Sequence, residues 1–288
     1  MKVLLATDGS KYAEEAAWLL AHLPHSEKLE LTVLFISNIP KLRGSIEAAE
    51  IQSRLELADK QKAALVMANL SNLFEGANAT LDMVIEEGHV GTKIIGKAET
   101  QKSDLIVLGA LGHSLFERMF GSTSDFVATH AKCSVLIVRP TGLRLAKRPI
   151  DVCVGFDSND SSSTIFDQLS QFGWGANTKF EIASVVSMPF NFSDIPFENY
   201  IEEIVAIRKQ ELERAANLFR EISPIVETHV IEANHIGDGL VQFAKKKRSD
   251  ILVVGDTGGG LLSTFLLGST SKYVLRNAEC SVWIARPS

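Results

Sequence analysis

The chain has 288 residues, of which 45% are hydrophobic and 22% are charged, and its formal net charge at pH 7 is −6. This composition is typical of a globular protein and lacks the basic footprint of a nucleic-acid-binding protein. No run approaches the roughly 18–20 apolar residues that span a bilayer, and the opening MKVLLATDGS turns polar too soon for a signal peptide. We therefore expect a cytoplasmic protein with no nucleic-acid or membrane partner.

Short apolar runs alternate with amphipathic stretches along the first half of the chain. The runs predict strands over residues 3–6, 31–36, 81–85, 105–108 and 135–138, and the stretches predict helices over 12–23, 46–74, 91–100 and 121–130. Short apolar strands that alternate with helices predict an α/β domain with a mainly parallel sheet that is covered on both faces.

The second half of the chain repeats this order. The segment DLIVLGALGHSLFERMFGSTSDFVATHAKCSVLIVRP returns as DILVVGDTGGGLLSTFLLGSTSKYVLRNAECSVWIARP, about 146 residues later. Solenoid repeats have much shorter periods, of about 20–50 residues, so this repetition indicates a duplicated domain. A short basic connector over residues 141–149 places the boundary near 145, and we predict domains over 1–144 and 145–288.

The number and placement of the three cysteines indicate the redox environment of the protein. Cys133 and Cys280 occupy the same position in the two copies, between a helix and an apolar strand. This placement predicts small buried hydrophobic residues rather than a disulfide. An odd number of cysteines without a CxxC motif also favours a reducing compartment.

A glycine motif follows the fourth predicted strand of the second copy. Gly255 ends this strand, Gly258 follows, and Gly268-Ser269-Thr270 opens the next helix. Ligands of a parallel α/β sheet bind at the carboxyl ends of the strands, where glycines let amides approach an anion and a helix N-terminus offers free N–H groups. The glycines could simply end strands and cap helices, but the repetition of the motif in both copies favours a phosphate-binding site.

This motif carries a resemblance to a known family. The spacing G-x2-G-x9-G-S, followed by a helix and CSVWIARP, resembles the nucleotide-binding motif of the universal stress protein family, and the opening LLATDGS is similar to the family's first strand. The resemblance covers nearly the whole chain as a tandem pair. It implies two Rossmann-like domains of the adenine nucleotide alpha hydrolase type, each with a five-stranded sheet. It further implies ATP or AMP as the ligand, with Mg²⁺ as an optional companion.

The resemblance also implies which residues hold the nucleotide. In the second copy these are Asp157, Val185, Gly255, Gly258, Gly268, Ser269 and Thr270; their counterparts in the first copy are Asp8, Ile36, Gly109, Gly112, Gly121, Ser122 and Thr123. The loop between Gly112 and Gly121 has eight residues instead of nine, and it contains Glu117. A shorter loop changes the direction of the amides that must converge on phosphate, and a nearby carboxylate repels phosphate. We therefore expect the second copy to be the stronger site.

Two pairs of repeated polar residues have alternative roles. Asp8 and Asp157 follow the first strand of each copy, where an acidic residue either caps the next helix or lies beside the nucleotide. His89 and His235 precede a helix in each copy, where they either cap it or line the mouth of the pocket.

Three other local patterns predict no chemistry. The run Lys245-Lys246-Lys247-Arg248 is expected to solvate a helix C-terminus. The stretch from Gly91 to Lys97 is similar to a Walker A loop, but Ala98 replaces the required Ser or Thr and the stretch lies within a predicted helix. His130 and Cys133 have no second ligand pair, so we predict no metal site.

No Ser-His-Asp, Cys-His or paired-carboxylate arrangement repeats between the copies, and we assign no catalytic residue. The favoured function is a nucleotide-binding module of stress-response signalling, with at most weak ATP hydrolysis. The alternatives are an ATP-hydrolysing or nucleotidyl-transfer enzyme of the same α/β superfamily, and a ligand-free interaction scaffold. The resemblance further implies an intramolecular pseudo-dimer through the last strands, residues 135–138 and 282–285, and leaves a homodimer open.

Overall fold

The structure is a computed structural model that describes residues 1–25, 27–42, 44–110, 121–146, 148–157, 161–187, 198–256 and 267–287. It divides into two compact units, residues 1–22 with 27–138, and residues 23–26 with 139–288. Gly112, Glu117 and Gly258 lie outside the described residues, so the roles predicted for them stay predictions.

The first unit is a parallel sheet with helices between successive strands. Its elements are β1 (Lys2–Thr7), α1 (Lys11–His22), β2 (Leu29–Ser37), α2 (Ile46–Leu73), β3 (Ala79–Glu87), α3 (Val90–Gln101), β4 (Leu105–Gly109), α4 (Ser122–His130) and β5 (Ser134–Val138). The strands lie in the order β3-β2-β1-β4-β5, and every neighbouring pair is parallel.

The second unit repeats this architecture after a short helix, α5 (Leu143–Ala146). Its remaining elements are β6 (Asp151–Gly155), α6 (Ser161–Ser170), β7 (Lys179–Ser187), α7 (Glu198–Phe219), β8 (Ile225–Ala233), α8 (Ile236–Lys247), β9 (Ile251–Gly255), α9 (Ser269–Asn277) and β10 (Ser281–Ala285). The strand order is β10-β9-β6-β7-β8, again parallel throughout. The predicted α/β class and the five-stranded sheet of each copy are confirmed.

Helices cover both faces of each sheet, which explains why its central strands are almost wholly apolar. In the first unit α1 packs against α2 and against β4, while α3 packs against α4 and against β1 and β2. The four residues Leu105–Leu108 of β4 are all buried. Some strands extend beyond their apolar runs: β2 begins at Leu29 because parallel pairing continues through the polar residue Glu30, which is in register with Lys2.

Two glycines at the starts of α3 and α8 allow close helix packing. A Cβ atom at Gly91 would lie 2.5 Å from the ring of Phe126, and one at Gly237 would lie 2.9 Å from Tyr273. The stretch similar to a Walker A loop therefore lies within α3, and its first glycine serves the contact with α4.

The remaining local predictions about helices and cysteines are confirmed. Lys245, Lys246 and Lys247 form the last turn of α8, and Arg248 ends it in the left-handed conformation with φ of 55°. The three cysteines are buried thiols outside any disulfide of the described residues, and burial raises the pKa of the Cys280 thiol to about 11. None of the described helices is long and apolar enough to cross a membrane.

A repeated aspartate joins the starts of two neighbouring strands in each unit. Asp104 accepts a hydrogen bond from the backbone N–H of Lys2 at 2.7 Å, and Asp250 accepts one from the N–H of Asp151 at 2.9 Å. Asp250 is also bound by the guanidinium of Arg148, at 2.8 and 2.9 Å, and its side chain is only 1% exposed. These bonds raise the pKa of Arg148. The repetition of this aspartate therefore has a structural cause.

We predict that Asp250→Ala lowers the free energy of unfolding by about 3 kcal/mol, because it removes the buried carboxylate that binds Arg148, Thr141 and the N–H of Asp151. The matched variant Asp104→Ala loses one backbone hydrogen bond at a half-exposed position, and about 1 kcal/mol is expected. Urea denaturation of both variants measures the difference. Equal losses would contradict the structural role assigned to the buried ion pair.

Candidate functional site

The strand order of the first unit opens a crevice at the carboxyl edge of its sheet. The chain runs outward from β1 to β2 and β3, and then returns to place β4 on the other side of β1. In doubly wound sheets ligands bind at such a point of reversal, outside the carboxyl ends of the strands. These ends are Thr7 of β1 and Gly109 of β4.

A cavity of about 210 Å³ lies at this point. All six described residues that were predicted for the first copy line it: Asp8, Ile36, Gly109, Gly121, Ser122 and Thr123. Tyr12, Val90 and Ile94 also line it and were not predicted. Their signal in the sequence is weak, because they lie near the starts of α1 and α3 and the pattern there is that of ordinary helix residues.

The Thr7-Asp8-Gly9-Ser10 turn forms one wall of the cavity. Asp8 Oδ1 accepts a hydrogen bond from the N–H of Ser10 at 2.9 Å, and Ser10 Oγ accepts one from the N–H of Ala13 at 3.3 Å. Ser10 therefore caps α1, while Asp8 shapes the turn before it. Gly9 has φ of +71°, and a Cβ there would lie 2.5 Å from Val66 Cγ2.

Gly109 brings the end of β4 against the backbone of α1. A Cβ atom at this position would lie 2.4 Å from the carbonyl carbon and oxygen of Tyr12. The absence of a side chain thus allows the strand end and the first turn of α1 to meet beside the cavity. This close contact is a packing reason for glycine at position 109.

The N-terminus of α4 forms the opposite wall. Gly121 is its N-cap with φ of −59° and no side-chain cap, and Ser122 and Thr123 form the first turn. The first amides of a helix have no partner within the helix and carry the positive end of its dipole. Ser124 Oγ donates to the carbonyl of Gly109 at 3.4 Å and ties this helix to β4.

The second unit places its predicted residues at the corresponding edge. Gly255 ends β9, Gly268 is the N-cap of α9, and Ser269 and Thr270 form its first turn. Ser271 Oγ donates to the carbonyl of Gly255 at 2.6 Å, as Ser124 does in the first unit.

Asp157 lies just after β6, the neighbour of β9, and Val185 lies on β7, the next strand of the sheet. Asp157 follows β6, is exposed, and its Oδ1 lies 3.9 Å from Arg208 Nη1 of α7. Val185 is half-buried in β7, where its methyl groups would lie 3.1 Å from a Cβ at Gly239 of α8. The position of Arg208 near Asp157 was not predicted, because Arg208 belongs to no motif and lies in a helix distant from Asp157 in the sequence.

An internal ion pair lies at the same edge. The residue after β9, Asp256, accepts a hydrogen bond from Arg286 Nε at 2.6 Å and one from the N–H of Gly268 at 3.4 Å. The side chains of Asp256 and Arg286 are 16% and 5% exposed. The counterpart of Asp256 in the first unit is Ala110, which is fully buried.

The repeated histidines cap helices. His235 Nδ1 accepts a hydrogen bond from the N–H of Asp238 at 3.2 Å, and His89 Nδ1 accepts one from the N–H of Thr92 at 3.4 Å. The capping interpretation is therefore confirmed for both histidines.

Within the described residues, one group has the spacing of metal ligands: the ligand atoms of Glu181, Glu227 and His229 lie within 4.8 Å of one another. Lys179 Nζ lies 2.7 Å from Glu181 and 2.8 Å from Glu227, and Lys247 Nζ lies 3.1 Å from Glu181. The hydrogen bond from Lys179 lowers the pKa of Glu227. Because two ammonium groups already bind the carboxylates, we interpret this group as an ion-pair network near the amino ends of β7 and β8.

The fold and the cavity define a doubly wound α/β protein with a candidate ligand site at the carboxyl edge of a parallel sheet. The model of the universal stress protein family matches residues 1–139 and again residues 151–286. The chain therefore belongs to the universal stress protein family and contains two domains of that family in tandem.

The chain is also similar to individual proteins and solved structures. A universal stress protein of Methanocaldococcus jannaschii is 31% identical over 99 residues, which span 33% of this chain and 58% of that protein. The structure of a universal stress protein from Archaeoglobus fulgidus has a TM-score of 0.67 at 20% identity, covering 100% of this chain and 98% of that chain. A universal stress protein in complex with cAMP is 28% identical, with a TM-score of 0.36, and covers 49% of this chain and 99% of that chain.

The contact at Gly109 generates a prediction for the first unit. Gly109→Ala should lower the free energy of unfolding by about 3 kcal/mol, because the added methyl group overlaps the backbone of Tyr12 and cannot be relieved by a side-chain rotation. The matched control is Gly96→Ala, where a Cβ in α3 meets nothing within 4 Å. That exposed helical site should gain about 0.5–1 kcal/mol. Guanidinium denaturation measures both changes, and a neutral Gly109→Ala would refute the close contact.

Proposed function

We propose that this protein binds an adenine nucleotide, ATP or AMP, at the carboxyl edges of its sheets, and that it serves stress-response signalling through binding rather than catalysis. The observation that carries the proposal is the cavity of the first unit, which gathers Asp8, Ile36, Gly109, Gly121, Ser122 and Thr123 around one space. Those residues come from four separate segments of the sequence, and the resemblance to the family implied each of them independently of the cavity.

The lining of this cavity fits the parts of a nucleotide. The first-turn amides and the hydroxyls of Ser122 and Thr123 would hold phosphate, because a helix N-terminus combines free N–H groups with a favourable dipole. Apolar side chains such as Ile36 and Ile94 would contact the base, and the exposed carboxylate of Asp8 would accept a hydrogen bond from a ribose hydroxyl. Cofactor sites generally combine an apolar lining with a few polar groups in this way.

The second unit offers the same helix N-terminus and the same strand ends, so we propose that it binds nucleotide as well. The uninterrupted motif spacing supports the second unit, and the cavity supports the first.

The exposed carboxylates of Asp8 and Asp157 are the oxygen ligands that Mg²⁺ prefers, so Mg²⁺ would accompany a bound triphosphate. The odd number of cysteines, all of them buried, suits a reducing compartment, and we propose a cytoplasmic location. The pseudo-dimer through the last strands stays a prediction.

We predict a stoichiometry of two AMP molecules per chain, measured by isothermal titration calorimetry. Gly121→Asp should abolish binding to the first unit and Gly268→Asp binding to the second, so that each variant binds one AMP. The introduced carboxylate would repel phosphate, while the helix itself tolerates Asp, a favoured N-cap residue, at these negative φ values.

The matched controls are Gly121→Asn and Gly268→Asn. They place a capping side chain of the same size at the same position without a negative charge, so binding to both units should persist. Loss of binding in the Asn variants would indicate a steric effect. Failure of either Asp variant to change the stoichiometry would contradict the proposed location of the phosphate.

ATP hydrolysis should be far slower than the roughly 1–100 s⁻¹ of kinases. The segment from Gly255 to Ser271 contains no lysine or arginine to stabilise charge in the transition state, and amides that hold the ground state equally well provide affinity without rate. Arg208 lies near Asp157, but it is also paired with Glu211 at 2.9 Å. A coupled phosphate-release assay measures turnover. A rate in the kinase range, abolished by Asp157→Ala with binding intact, would favour the enzyme alternative.

A further inference from the structure

Asp256 occupies the position where the proposed site of the second unit would receive phosphate. Its Oδ1 accepts the hydrogen bond of the Gly268 amide, the N-cap of α9, at 3.4 Å. Arg286 holds the other carboxylate oxygen at 2.6 Å from its own position at the end of β10. Both side chains are largely removed from solvent, at 16% and 5% exposed. A carboxylate of the chain itself thus already binds one amide at this helix N-terminus.

The first unit has the same backbone without the charge. The N–H of Ala110 donates to the carbonyl of Val138 at 2.9 Å, and the N–H of Asp256 donates to the carbonyl of Ala285 at 3.1 Å. The two residues therefore follow β4 and β9 in the same way, each bonded to the end of the neighbouring strand. At this structurally equivalent place one unit carries a methyl group and the other a carboxylate.

We propose that Asp256 is a specificity-determining residue, which makes the second unit select nucleotides with few phosphates while the first unit accepts a triphosphate. This inference rests on the proposed nucleotide function of both units. The Coulomb repulsion between Asp256 and the ligand grows with the negative charge of the phosphate chain. This repulsion is stronger near a protein than in bulk water. Each added phosphate therefore costs more affinity in the second unit than in the first.

Arg286 does not remove this effect. Its Nε–H donates to Oδ2 of Asp256, while Oδ1 of the same carboxylate accepts from the amide of Gly268. The pair therefore presents its negative member to the helix N-terminus. A nucleoside monophosphate brings the least charge to this place, and a triphosphate brings the most.

The test measures the affinities of AMP, ADP and ATP for the second unit alone, by calorimetry on the full chain with Gly121→Asp in the first unit. With Asp256 present, affinity should fall from AMP to ATP. Asp256→Ala, which reproduces the residue found in the first unit, should raise the affinity for ATP about tenfold, which corresponds to about 1.4 kcal/mol. It should raise the affinity for AMP by a smaller factor, because AMP brings less negative charge to this place.

Asp256→Asn separates charge from packing, because it keeps an oxygen acceptor for the Gly268 amide but carries no charge. It should shift the ratio of ATP to AMP affinity in the same direction as Asp256→Ala. Thermal unfolding checks that each variant is folded; if Asp256→Ala is not, Asp256→Asn decides. The reciprocal variant, Ala110→Asp together with Gly268→Asp, should weaken ATP relative to AMP in the first unit.

The outcomes separate this inference from the function on which it rests. If AMP binds the second unit and the ratio of ATP to AMP affinity is the same with Asp, Asn and Ala at position 256, the selectivity inference is wrong and the proposed function stands. If no adenine nucleotide binds either unit of the unmodified chain, both fall. A ratio that shifts only for Ala, and not for Asn, shows packing rather than charge and also overturns the inference.

Discussion

The order of the strands is the constraint on which the rest of the structure depends. Because β4 returns to the far side of β1, two strand ends open side by side, and the helices that follow them flank the gap. Residues as distant in sequence as Asp8 and Thr123 then face one cavity. The glycine at the end of β4 lets this edge close against α1. The second unit repeats the same order, so the same edge becomes its candidate site.

The two units show how a duplicated fold can diverge at one edge while its framework is retained. Strand order, helix N-caps and the serine bond to the strand-end carbonyl are the same in both. The residue after the fourth strand differs in charge, Ala110 in one unit and Asp256 in the other. The ion-pair network around Glu181 also differs between the units. In the first unit, the positions of Glu227 and His229 are occupied by the apolar residues Leu81 and Met83. Function at these sites therefore has to be assigned unit by unit.

The sequence predicts the strands and helices well, because they follow from the spacing of apolar residues and from the lengths of the apolar runs. The strand predicted over 105–108 is β4, Leu105–Gly109, and the helix predicted over 46–74 is α2, Ile46–Leu73. Contacts between distant residues are harder to predict: nothing local indicates that Gly109 meets Tyr12, or that Arg286 binds Asp256. Asp8 also shows the limit of local patterns, since the serine two residues later is the residue that caps α1.

Two-dimensional NMR of the full chain titrated with AMP shows whether the nucleotide lies at the carboxyl edges of the sheets. We expect the largest amide shifts on Gly121 to Thr123 at the start of α4 and on Gly268 to Thr270 at the start of α9. Shifts confined to the amino ends of the strands, for example around Glu181 or Asp250, would contradict this expectation, as would a spectrum that AMP leaves unchanged.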